Sequence, residues 1–158
     1  MIQRIRVAGI VRRNQQILLV LQRSRFGGQS WSLPGGRLEP SDVNMYRGVE
    51  REVWEETGLR VQAGALRFVS EYLAPDIMAL TLIFDCQVLD DQDASEIHLN
   101  NTQVDDQIID VAWWPEAEMR QLTAEMGHTL QLPIFWEALY QSGIPVHLGR
   151  HFDDGRPI

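Results

Sequence analysis

Residues 35–59 read GGRLEPSDVNMYRGVEREVWEETGL, a glycine-opened loop followed by a charged stretch with helical spacing. Successive helical residues turn by about 100°, so Glu52 and Glu56 stand one turn apart and Glu55 lies within about 60° of Glu52. Three carboxylates therefore share one side of a single turn. Like charges at such spacing weaken an isolated helix by about a few tenths of a kcal/mol, so a positive group is expected against them. Oxygen-only ligands of this kind suit Mg²⁺ or Mn²⁺ rather than zinc. A solvated acidic helix face is the competing reading of the same residues.

The remainder of the stretch has its own logic. Met45, Val49 and Val53 recur at four-residue steps and make a stripe that can pack on a sheet. Arg51 precedes Glu55 by one turn and can hold it as an i,i+4 pair. Ser41 and Asp42 are the candidate N-caps, and Gly58 is a natural C-terminal stop. Gly48 falls inside the helix, where glycine costs about 1 kcal/mol relative to alanine. A close approach by the preceding loop would account for it.

Gly36, Asp42 and the run Arg51-Glu52-Val53-Trp54-Glu55-Glu56-Thr57-Gly58-Leu59 resemble the signature box of the Nudix hydrolases. That box is a glycine, five residues, a glutamate, seven residues, then R-E-U-x-E-E-x-G-U with U aliphatic. Its second half matches here at every specified position, and Trp31-Ser32-Leu33-Pro34 resembles the family's lead-in. The first half departs from the pattern. Counted from Gly36 the glutamate is replaced by Asp42, with eight residues before Arg51; counted back from Arg51 the position is Val43. In the family this glutamate braces the loop against the helix, so the departure bears on fine positioning more than on metal binding.

The resemblance implies an α/β Nudix fold, an α/β/α sandwich around a central mixed β-sheet. It also implies divalent-metal-dependent hydrolysis of the diphosphate linkage in a nucleoside diphosphate joined to another moiety. The ligands of Mg²⁺ or Mn²⁺ would be Glu52, Glu55 and Glu56 with the main chain at Gly35, because glycine lets the backbone approach an ion. Arg51 would hold a glutamate in place. In many Nudix proteins an acidic residue before a later strand supplies a further ligand or the base. Gln107 stands at that position here, which leaves Asp106 as the candidate extra ligand and Glu52 as the preferred base. Arg23 and Arg25 are candidates for substrate phosphate, and Phe26, Trp31 and Tyr72 for stacking on a base. The shifted Asp42 and Gln107 also admit a Nudix-fold module that binds a nucleotide without cutting it. An isopentenyl-diphosphate-type isomerase is disfavoured, since nothing resembles its extra cysteine site.

The 158 residues suit one domain spanning 1–158, with 44% hydrophobic and 23% charged residues in the ordinary globular range. Net charge is −8 and no basic run occurs, which argues against a nucleic-acid surface. An acidic protein acting on a phosphorylated, nucleotide-type small molecule needs cations to bridge the repulsion. Cys86 is the single cysteine, so no disulfide framework exists and a buried thiol in a reducing, cytoplasmic setting is expected. No apolar run approaches the roughly 20 residues that span a bilayer, and MIQRIRVAGIV lacks a signal-peptide pattern.

Alternation over residues 2–11 and 16–21 predicts a hairpin, and residues 22–30 read as a loop. Two further strands, at 60–73 and 78–89, flank the turn Ala74-Pro75-Asp76, and residues 90–101 read as an acidic surface loop. A strand ending at Trp113-Trp114-Pro115 precedes a helix over 116–125. Residues 130–140 form a second helix whose broad apolar face packs on the sheet or meets a second copy of the chain as a homodimer. The tail with His147 and His151 reads as surface.

Overall fold

Alternate residues of a strand face opposite sides of a sheet. In Ile2–Arg13 (β1), Val7 and Val11 face one side while Ala8 and Ile10 face the other, and all four are buried. The computed structural model, which describes residues 1–23, 28–99, 107–121, 123–140 and 147–152, builds both layers of the molecule outward from this strand. Asn14 and Gln15 both adopt positive φ, 48° and 62°, the geometry of a type I′ turn, and Gln16–Arg23 (β2) returns antiparallel as predicted.

Gln29–Ser32 (β3), Gly35–Arg37 (β4), Val61–Ala74 (β5), Ile77–Val88 (β6), Ile108–Pro115 (β7) and His147–Phe152 (β8) complete the sheet. The order is β3-β2-β1-β6-β5-β8, with β4 on β1 and β7 on β2. β1 pairs with β6 and β5 with β8 in parallel, and the other pairs are antiparallel, so the sheet is mixed as expected.

Met45–Thr57 (α1) covers one face, with Val49 and Val53 packed among Val7, Val11, Leu18 and Phe84. Glu116–Gln121 (α2), His128–Gln131 (α3) and Pro133–Tyr140 (α4) follow β7. From them Met119, Leu130, Phe135 and Leu139 cover the other face, against Ile10, Leu19, Phe68 and Ile83. This is the α/β/α sandwich. Burying a side chain of this size stabilises by about 1.5–3 kcal/mol, enough to carry the strained acidic turn of α1.

Several local expectations are corrected. Met45 is 41% exposed, so the apolar stripe of α1 begins at Val49. The N-cap is Asn44, whose side chain accepts from the Arg47 N–H at 3.0 Å, while Asp42 is engaged elsewhere. The helix read over 130–140 breaks at Leu132, because Pro133 starts a new one, and its apolar face is taken up by the core. The helix read to 125 stops at Gln121, and a 3₁₀ turn, Thr123–Glu125, follows. Within the supposed surface tail, residues 147–152 form β8, hydrogen-bonded to β5. Cys86 is a buried free thiol as expected, and burial, with Asp85 and Glu50 nearby, pushes it up to about 12. Among the described residues no helix is long and apolar enough to cross a membrane.

Candidate metal and diphosphate site

The glycine loop is laid against β1 before the helix begins. Gly35 pairs with Ala8 and Gly36 with Val7. A Cβ on Gly35 would lie 2.6 Å from the Ala8 Cα, and one on Gly36 would lie 2.6 Å from the Glu52 carboxyl carbon. Glycine is needed at both positions for different reasons. The first admits a neighbouring backbone, and the second admits a functional carboxylate.

The loop then turns through Asp42, whose Oδ2 accepts from the Glu39 N–H at 2.9 Å. Gly48 permits this packing, because a Cβ there would meet Leu38 Cδ1 at 2.8 Å and Asp42 Oδ2 at 3.0 Å. At the far end Gly58 sits at φ 75° and its N–H returns to the Trp54 carbonyl, the left-handed stop expected of it.

Arg51 is the hub. Its Nε donates to Asp42 Oδ1 at 2.8 Å and its Nη2 to Asp42 Oδ2 at 2.9 Å, a two-pronged pair. Nη1 donates to Glu52 Oε1 at 2.9 Å and to Glu55 Oε2 at 3.3 Å, and Nη2 also reaches the Arg37 carbonyl at 3.1 Å. The departure from the box therefore resolves in favour of Asp42: a side chain one methylene shorter, on a loop one residue longer, still braces loop to helix. The Arg51 guanidinium beside Asp42 holds this carboxyl below the usual carboxylate range against the opposing effect of burial, and Arg51 itself is shifted upward.

That depression has a pH consequence. The pair's stability is fully present above the unfolded aspartate value of about 4 and is lost as pH falls through the lower folded one. Asp42→Asn is expected to cost about 1.5–3 kcal/mol at neutral pH and to flatten this acid-side loss. Urea midpoints at neutral pH and at about pH 3 read both effects, and parallel acid profiles for the two proteins would contradict the assignment.

Glu52, Glu55 and Glu56 are 5%, 9% and 2% exposed, so the solvated-face reading does not hold. Glu56 Oε2 accepts from the Gly35 N–H at 2.9 Å, and the Gly35 carbonyl accepts from Arg6 Nη2 at 3.4 Å. Among the described residues no three acidic, histidine or cysteine side chains form a ready-made cation cage. The donor set nevertheless fits Mg²⁺ or Mn²⁺ in its chemistry. It is all oxygen and nearly buried, the glycine loop is cleared of Cβ atoms beside it, and the carboxylates outnumber the one guanidinium that bridges them.

Arg23 ends β2, exposed, with its N–H on the Gln107 carbonyl at 2.9 Å, and no described contact joins it to the carboxylates. The Gln107 Oε1 is buried without a described hydrogen-bond partner. Trp31 packs edge-on against Trp114 and belongs to the core. Tyr72 lies half-buried on β5. Arg25, Phe26 and Asp106 lie outside the described residues. Arg6 was missed at the level of sequence; its only signal there is its alternation with Arg4 at the start of β1.

The NUDIX domain model matches residues 3–133. A MutT-like protein of Streptomyces ambofaciens is 44% identical over 81 residues, 51% of this chain and 49% of that one, so the match spans about half the length of that relative. The phosphatase NudJ of Escherichia coli K12 is 29% identical over 128 residues, covering 79% of this chain and 75% of its own. Among solved structures, a NUDIX hydrolase from Nitrosomonas europaea superposes with a TM-score of 0.67 at 21% identity, covering 87% of this chain and 86% of that one. With the box intact from Arg51 to Leu59 and the domain matched over most of its length, this chain belongs to the Nudix hydrolases, a family acting on phosphorus-containing acid anhydrides.

Proposed function

We propose that the chain hydrolyses the diphosphate linkage of a nucleoside diphosphate joined to another moiety, with Glu52, Glu55 and Glu56 holding Mg²⁺ or Mn²⁺. The observation that carries this reading is one buried turn that holds three carboxylates, Glu52 and Glu55 on Arg51 and Glu56 on the Gly35 N–H, with Glu52 packed against Gly36. A divalent ion held there supplies charge neutralisation for the diphosphate and acidifies a nearby water.

The chain's own residues do the rest. Arg51 fixes Glu52 and Glu55 in place, a positioning role. The Gly35 N–H aims Glu56, and Gly36 keeps a side chain out of the path of Glu52. Glu52 takes the proton from the attacking water as its oxygen bonds to phosphorus and the bridging P–O bond breaks. The products are a nucleoside monophosphate and the phosphorylated second moiety. The single buried thiol fits a reducing, cytoplasmic setting.

The test is release of nucleotide or phosphate from a panel of nucleotide-sugars, dinucleoside polyphosphates and oxidised nucleoside triphosphates, with Mg²⁺ and with Mn²⁺. Metal-dependent turnover of at least one is expected. Tight nucleotide binding by calorimetry with no cleavage of any would instead support a binding module, the reading that Gln107 in place of an acid favours.

A further inference from the structure

β1 carries charged side chains that the acidic cluster does not use. Arg4 and Arg6 lie two residues apart in a strand whose pairing with β6 runs unbroken from Ile2 to Val11, so both project from the same face. Arg37 is the direct cross-strand partner of Arg6 in β4, which adds a third guanidinium to that face. Like charges directly opposed destabilise a strand pair, and among the described residues no carboxylate pairs with them. The register neighbours are Ala79 and Thr81 on β6, then Tyr72 and Ser70 on β5, and none is acidic.

One of these guanidinium groups is also poorly satisfied. Arg4 Nε is buried with no hydrogen-bond partner, and among the described residues Arg4, Arg6 and Arg37 form no ion pair. A buried N–H without an acceptor is costly to keep, so an acceptor from outside the chain is the physical expectation. The strip borders the site, because Arg6 Nη2 reaches the carbonyl of Gly35, whose N–H holds Glu56.

We propose that Arg4 and Arg6, with Arg37 beside them, form an anion subsite for a substrate phosphate outside the grip of the acidic cluster. Resting on the proposed diphosphate hydrolysis, this names the second moiety as itself anionic. A nucleoside triphosphate or longer polyphosphate is favoured over a nucleotide joined to an uncharged sugar. Guanidinium suits the task, since its planar fork meets two phosphate oxygens at once.

The experiment isolates the strip by removing divalent ions, because the bare carboxylates then repel anions. Protein in excess EDTA is titrated calorimetrically with inorganic triphosphate. Binding is expected, weakened about tenfold or more in Arg4→Gln and in Arg6→Gln. Arg4→Lys, which keeps the charge but loses the fork, should weaken it less than Arg4→Gln, and Arg60→Gln, which alters an exposed pair with Asp91, should leave it unchanged. With Mg²⁺ present, Arg4→Gln should raise KM for a nucleoside triphosphate about tenfold at little change in kcat, and leave KM for a nucleotide-sugar as it was. No binding by the parent protein, undiminished binding in both glutamine variants, or an equal KM loss on both substrates overturns the subsite. Absence of any turnover would instead strike the hydrolase reading, while the metal-free titration still decides the subsite.

Discussion

Glu56→Gln is expected to lower kcat by about 10²–10³-fold while the melting temperature of the metal-free protein holds or rises. Glu56 is 2% exposed and accepts the Gly35 N–H at 2.9 Å. Glutamine has the same shape and keeps an oxygen for that bond, so the loop stays anchored. What disappears is one negative charge among several that crowd the same turn. Without a cation that loss relieves repulsion, which is why stability should not fall. With a cation the loss weakens its binding, since affinity follows ligand charge. Steady-state assays, Mn²⁺ titration and a melting curve read the three effects separately. A variant whose kcat stays within about threefold of the parent would remove Glu56 from the metal-binding set.

The adjacent glycines should fail in opposite ways. Gly35→Ala drives a methyl group into the backbone of β1 at Val7 and Ala8, which cannot retreat without breaking the strand pairing. A loss of about 3 kcal/mol is expected, a fall of roughly 6–12 °C in melting temperature for a chain of this size. Gly36→Ala meets the end of a flexible side chain instead, the Glu52 carboxylate. That group can swing aside, so the fold survives. A catalytic group displaced by about 1 Å costs on the order of 10²-fold in rate. Melting curves and kcat on both variants give a crossed result, stability lost in one and activity in the other. Equal behaviour in both would mean that Glu52 does not work from its position against Gly36.

The helix of the box was legible because its signals are local. Spacing placed Arg51 against Glu55, and Gly48 announced a close approach that Leu38 and Asp42 make. Asp42 was ambiguous on counting alone, since an inserted residue and a lost acid look alike in one dimension; the two-pronged pair with Arg51 separates them. Asn44 was overlooked as the cap because Ser41 and Asp42 have equal propensity, and only the helix start decides among them. The parallel pairing of β1 with β6 left no local trace, for nothing in either strand specifies a partner some 75 residues away. β8 was missed for the same reason. Its short run pairs with β5 from across the whole domain, so residues that read as a tail are sheet. The arginine strip belongs to this class as well, visible only once register puts Arg37 opposite Arg6.

The dependence of the glycine loop on β1, and of β1 on β6, sets an order of assembly during synthesis. Every residue of the box has left the ribosome by Leu59, yet the strand beneath the loop lacks its long parallel neighbour until Val88 has emerged. Contacts between such distant segments form late, after loop-closure entropy has been overcome. The nascent chain therefore carries its acidic turn for some time without the floor that orients it, and competence to grip a cation should arrive abruptly with the second half of the polypeptide.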